Sequence, residues 1–115
     1  MVVKYDFNDE RKFEEHPKFK GVRIAKFLTG AESENSISVS ILKIAPGNEA
    51  PLHVHNKEGD SIYILSGNGT GSFAGEEKEV RAGDYIFVPH GIEHEIKNTS
   101  KEPLVLIATH SPPLF

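Results

Sequence analysis

Two histidines one residue apart, His53 and His55 in the stretch APGNEAPLHVHNKEGD (45–60), are followed closely by two carboxylates, Glu58 and Asp60. Side chains on a strand alternate between faces, so residues at i and i+2 point the same way and two such imidazoles can share one ion. Imidazole nitrogen with carboxylate oxygen is the donor set of many zinc, iron, manganese and nickel sites. The chain has no cysteine, so a metal here must rely on nitrogen and oxygen. Which carboxylate completes the site is open from this stretch alone. A second stretch, GDYIFVPHGIEHEIKN (83–98), brings His90 and His94. His90 lies in a Pro-Gly turn and reads as a loop-surface residue, with ligand contact as the lesser reading. His16, beside Pro17 in a charged segment, reads as solvated. His110 closes an apolar run and reads as a hydrogen-bonded structural histidine. Glu93 reads as a surface charge, and Asn98 as a residue satisfying backbone groups.

The elements that must position these residues are short. Glycine (10) and proline (7) punctuate segments rich in Val, Ile, Phe and Tyr, which is an all-β rhythm. Strands are predicted over 22–28, 37–44, 51–55, 61–67, 69–74, 78–82, 84–89, 94–98 and 103–110. So many short runs with brief connections suggest a sandwich or barrel. In the run 61–67, parity sends Ile62 and Ile64 to one face and Tyr63 and Leu65 to the other, which predicts a strand covered on both faces. GEEKE (75–79) is expected to form a solvated hairpin tip with Gly75 at the turn. Residues 1–20 are too charged for a core strand and carry Pro17 too early for a long helix. They are expected to form an arm with at most one helical turn. Its Phe7, Phe13 and Phe19 would pack on the barrel or on a second subunit. Residues 21–115 form the domain.

With 115 residues, 37% hydrophobic and 26% charged, the composition is that of one soluble globular domain. No apolar run is long enough for a membrane span. A net charge of −4 gives no general attraction to nucleic acid or an anionic bilayer, so a small molecule is the expected partner. GNGTG (67–71) lacks the lysine and following helix of a phosphate loop, and Lys57 and Arg81 stand isolated in sequence. The opening residues MVVKYDFNDERKF turn charged quickly and lack the pattern of a secretory signal, so a cytoplasmic chain is expected.

Together the two stretches resemble the paired motifs of the cupin family. Gly47, His53, His55, a carboxylate position and Gly67 fall at the spacing of the first motif. Gly83, Pro89, Gly91, His94 and Asn98 fall at the spacing of the second. The fifteen residues between Gly67 and Gly83 are similar to the linking segment of compact single-domain cupins. The resemblance implies a jelly-roll β-barrel holding a divalent metal ion, Fe, Mn, Ni or Zn, on His53, His55, His94 and a carboxylate. The family spacing puts that carboxylate at Asp60, where the family usually has glutamate. Glu58 competes but breaks the spacing to Gly67, and a site of three histidines and water is a further alternative. Three imidazoles and one carboxylate leave about two octahedral positions free, a catalytic layout. Because ligation needs neutral imidazole, affinity should fall as pH drops through roughly 6.5. The resemblance also implies a homodimer, with the arm or the terminal SPPLF contributing. The function it points to first is a metal-dependent small-molecule enzyme with dioxygenase-like chemistry on a metal-chelating ligand. A non-catalytic ligand-binding or sensing protein is the alternative from another class, and a sugar or sugar-phosphate isomerase or epimerase is a third. No catalytic acid or base is identified.

Overall fold

The computed structural model describes residues 3–6 and 12–115. Within them the chain is all β, without an α-helix. Its strands are β1 (Glu14–Glu15), β2 (Val22–Leu28), β3 (Ser38–Ile44), β4 (Glu49–His53), β5 (Gly59–Ser66), β6 (Asn68–Phe73), β7 (Glu76–Arg81), β8 (Tyr85–Val88), β9 (His94–Lys97) and β10 (Leu104–Ser111). They pair antiparallel in two sheets, β1-β2-β3-β10-β5-β8 and β4-β9-β6-β7, and form a jelly roll. The nine predicted strands correspond to β2 through β10. The addition is β1, whose Glu14 and Glu15 pair with Ile24 and Arg23. Strand pairing is satisfied by the backbone alone, so a charged segment can join the edge of a sheet without contributing to the core.

The core fills the space between the sheets. On β5 the inward column is Asp60, Ile62 and Ile64, and on β10 it is Leu104, Leu106, Ala108 and His110, all buried. The register joins the two columns rung by rung: Ile64 opposite Leu106, Ile62 opposite Ala108, Asp60 opposite His110. The four-stranded sheet adds Ala50, Val80 and Ile96 to the same cluster. Burying an aliphatic side chain of this size stabilises by roughly 1.5–3 kcal/mol, so the apolar rungs anchor the two strands. The polar rung at the end of the columns is held by the same register.

Two expectations are corrected here. The strand at 61–67 is covered on one face, since Tyr63 and Leu65 are 43% and 44% exposed. Tyr63 pairs with Tyr85, and Ser61 with Phe87, on the neighbouring β8, and those aromatics are 60% and 57% exposed. Alternation separates two apolar sets but does not say that both meet a partner layer. The hairpin tip is also shorter than expected. Ala74 and Gly75, with φ of 54° and 81°, make the two-residue turn, while Glu76–Glu79 lie exposed in the edge strand β7. Charges on an edge strand keep it from pairing with other chains. In the N-terminal segment, Phe19 packs against the core cluster and Phe13 lies under the side chains of Arg23 and Lys43. Phe7 lies outside the described residues.

Candidate metal centre

Each of the two motifs delivers its histidines through backbone bonds to the other. β4 ends at His53, whose cross-strand partner is His94, the first residue of β9. His55 lies beyond the end of β4 rather than in the predicted strand 51–55. Its carbonyl accepts a 2.7 Å hydrogen bond from the N–H of Gly91. Gly91 has φ +79°, a conformation that glycine adopts without steric cost. At the other ends of the motifs, Gly47 N–H donates to Asn98 C=O at 3.0 Å and Asn98 N–H donates to Asn48 C=O at 2.9 Å. The buried Asn98 amide donates to the carbonyls of Ile44 and Glu102, the structural role its sequence position suggests.

His53, His55, Asp60 and His94 come together with one ligand atom of each lying within 4.8 Å of the others. Asp60 Oδ2 is 3.3 Å from His94 Nε2 and 3.7 Å from His55 Nε2. Two ligands about 2.1 Å from a common ion stand roughly 3.0 Å apart at right angles and 4.2 Å apart when opposed. The cluster therefore closes on an ion with small side-chain adjustments, and the donor set fits a divalent transition metal. Backbone carbonyls fix the rings. His53 Nδ1 lies 2.6 Å from Pro51 O, and His94 Nδ1 lies 3.0 Å from Ile92 O. A carbonyl can only accept, so each Nδ1 carries the proton and each Nε2 is left for the ion, the usual arrangement behind a ligating histidine. Glu58 is half-buried and stands outside the cluster. His90 and Glu93 are exposed.

The electrostatics separate the three imidazoles. Burial lowers His53 and His55 below the ordinary histidine value, His55 to about 4, with the neighbouring His110 adding to the effect there. For His94 burial pulls the same way, but the Asp60 carboxylate and the Ile92 carbonyl outweigh it and raise the group. Burial also works against ionised Asp60, yet His110 and His94 beside its oxygens hold it well below the usual carboxylate range. His94 thus favours its protonated form more than His53 and His55 do, because its Nε2 faces the Asp60 carboxylate. A common titration of the three near 6.5 is replaced by a spread.

The cluster lies in a cavity of about 390 Å³. Its wall is largely apolar, with Ile24, Leu42, Ile62 and Leu106 among its residues, and Lys18 and Lys26 line it as well. His16 is half-buried in this lining rather than solvated. Its ring stacks on Phe19 at 4.1 Å, and its Nδ1 accepts the N–H groups of Lys18 and Phe19. The C-terminal residues fold back onto the same chain: Leu114 N–H donates to Ser38 Oγ, Gly30 N–H to Phe115 O, and Lys26 Nζ sits 4.8 Å from the Phe115 ring centroid. His110 differs from its sequence reading. It is buried with neither ring nitrogen hydrogen-bonded, and its Nε2 stands 3.3 Å from Asp60 Oδ1 without hydrogen-bond alignment. The alternation of Leu104, Leu106, Ala108 and His110 was the available signal that it faces inward.

Comparison with known proteins places this architecture among relatives. Residues 40–110 match the family model described as the cupin domain. An oxalate-binding protein of Thermotoga maritima is 36% identical over 67 residues, which cover 58% of this chain and 55% of that protein. Auxin-binding protein 1 of Arabidopsis thaliana is 33% identical over 88 residues, covering 68% of this chain and 44% of its own. The chain thus spans about half the length of these curated relatives. Among solved structures, a predicted oxalate decarboxylase from Thermotoga maritima superposes with a TM-score of 0.84 at 29% identity, covering 97% of this chain and 99% of the other. No helix among the described residues is long and apolar enough to cross a membrane.

Proposed function

Because this chain belongs to the cupin family, we propose that His53, His55, Asp60 and His94 hold a divalent metal ion and that the surrounding cavity takes a small organic acid chelating it. The observation that carries this reading is the pinning of His53 and His94 through Nδ1, which leaves Nε2 of each for an ion beside Asp60. Bound there, the ion would act as a Lewis acid and a template for substrate and dioxygen, the basis of an oxygenase-type reaction. The residues of the chain do the rest. Asp60 supplies the one negative charge of the cluster, the aliphatic wall excludes water from the acid's body, and Lys18 and Lys26 offer cations to an anionic ligand. The oxalate-related relatives support an acid as the ligand class.

A second reading, binding without turnover, is favoured by the lining itself. Besides the four candidate ligands and Lys18, Lys26 and His16, His110 is the one further titratable side chain of the cavity wall among the described residues. The proposal extends to a homodimer. β8 is the last strand of its sheet among the described residues, and it carries the exposed Tyr85 and Phe87 beside Tyr63 and Leu65. Pairing that edge with a second copy would cover both the open backbone and the apolar face.

The deciding experiment reconstitutes the protein with Fe, Mn, Ni or Zn, measures retained metal, then titrates oxalate and larger acids by calorimetry and follows oxygen uptake of the Fe(II) form. Metal-dependent acid binding with oxygen consumption supports the enzyme, and binding without consumption supports the binder. Failure to retain any of the four metals overturns the metal reading.

A further inference from the structure

We propose that His110 is a positioning residue for Asp60, and that the two together occupy the space a longer carboxylate would need. The inference rests on the metal reading above and adds a residue that neither motif contains. Asp60 and His110 are Cα partners on adjacent strands, so register places both at the inner end of their columns. Both are buried. The carboxylate divides its oxygens. Oδ2 faces His94 at 3.3 Å and His55 at 3.7 Å, while Oδ1 faces His110 Nε2 at 3.3 Å.

Asp60 Oδ1 and the two ring nitrogens of His110 are the buried side-chain atoms without a hydrogen-bond partner among the described residues. Buried polar atoms are nearly always paired. A small rotation of the His110 ring would bring Nε2–H onto Oδ1 and pair two of the three. That bond keeps Oδ1 from an ion, so Asp60 ligates through Oδ2 alone and leaves a coordination position for the incoming ligand. It also accounts for the aspartate at this position. The His110 ring packs edge-on against His55, with centroids 4.8 Å apart, and fills the space on the Oδ1 side. An added methylene at position 60 would drive the carboxylate into one of these rings.

The test is Mn(II) binding at pH 8, read by electron paramagnetic resonance of free and bound ion, in the full chain. His110→Ala and His110→Leu remove the donor, the second without leaving a cavity, and His110→Gln keeps one. Loss of an outer partner typically weakens metal binding about 10- to 100-fold. We expect that loss in whichever of the Ala and Leu variants folds, and binding within about threefold of wild type in His110→Gln, well inside that range. Asp60→Glu should lose affinity in the wild-type background and regain most of it in Asp60→Glu/His110→Ala, a coupling found for residues in contact. Wild-type affinity in both donor-less variants, or losses at 60 and 110 that simply multiply, overturns the role of His110 while leaving the metal site standing. A wild-type protein that binds no Mn(II), Fe(II), Ni(II) or Zn(II) fails earlier, at the metal reading itself.

Discussion

Metal affinity should depend on pH with a slope that exposes the spread among the three imidazoles. A proton competing at one imidazole costs about tenfold in apparent affinity for each pH unit below that group's value, and three together cost about a thousandfold. Were His53, His55 and His94 all to titrate at the ordinary value, the steep regime would begin near pH 6.5. The structure separates them. His94 is raised by Asp60, whereas burial lowers His53 and His55, the latter to about 4. The sign follows from what the ion displaces. A raised His94 holds its proton above pH 6.5, so affinity starts to fall early, but with a slope below three because His53 and His55 compete only at lower pH. Between pH 6.5 and 5.5 the loss should fall well short of the roughly 170-fold that three groups titrating together at 6.5 would give. The slope rises further as the pH falls toward the His55 value of about 4, and Asp60, held far below its usual range, stays ionised throughout. Calorimetric or resonance titration with Mn(II) at half-unit steps from pH 8 to 5 measures the slope directly. A slope approaching three by about pH 5.5 would refute the electrostatic separation, and a flat profile would refute histidine ligation.

Asp60→Asn should weaken Mn(II) binding by more than about a hundredfold, beyond the range of an outer partner, while Glu58→Gln leaves it unchanged in the same titration. The reverse ranking would make Glu58 the ligand. Gly91→Ala should lower stability by about 1 kcal/mol or more, because φ +79° disfavours a side chain. Thermal unfolding reads that loss, and metal affinity should fall with it as the His55 segment loosens. Tyr85→Lys with Phe87→Lys should convert a dimer to a monomer in sedimentation equilibrium without altering metal content. A dimer that survives both changes places the interface elsewhere.

Much of the fold was legible because a barrel of short strands imposes its period on the sequence. Val22 to Leu28 was predicted with its observed limits, and the two motifs marked the turns that bring His53, His55, Asp60 and His94 together. The family spacing to Gly67 ranked Asp60 above Glu58, and Asp60 is the carboxylate that stands in the cluster. Three things were hidden, and they share a cause. Glu14–Glu15 pairs through backbone, on which side-chain pattern is silent. Tyr63 and Leu65 look as apolar as Ile62 and Ile64, but among the described residues the partner layer lies on one side only. His110 sits in the same alternating column as Leu104, Leu106 and Ala108, and that parity was readable. What parity could not supply was the strand opposite, and β10 runs beside β5 across almost forty residues of intervening chain. Period two says which side chains share a face; only the pairing of strands distant in sequence says what that face meets. A residue such as His110 becomes chemically meaningful when register sets it against Asp60, and for that reason the motif-borne part of the site could be read from the chain while the residue that orients it could not.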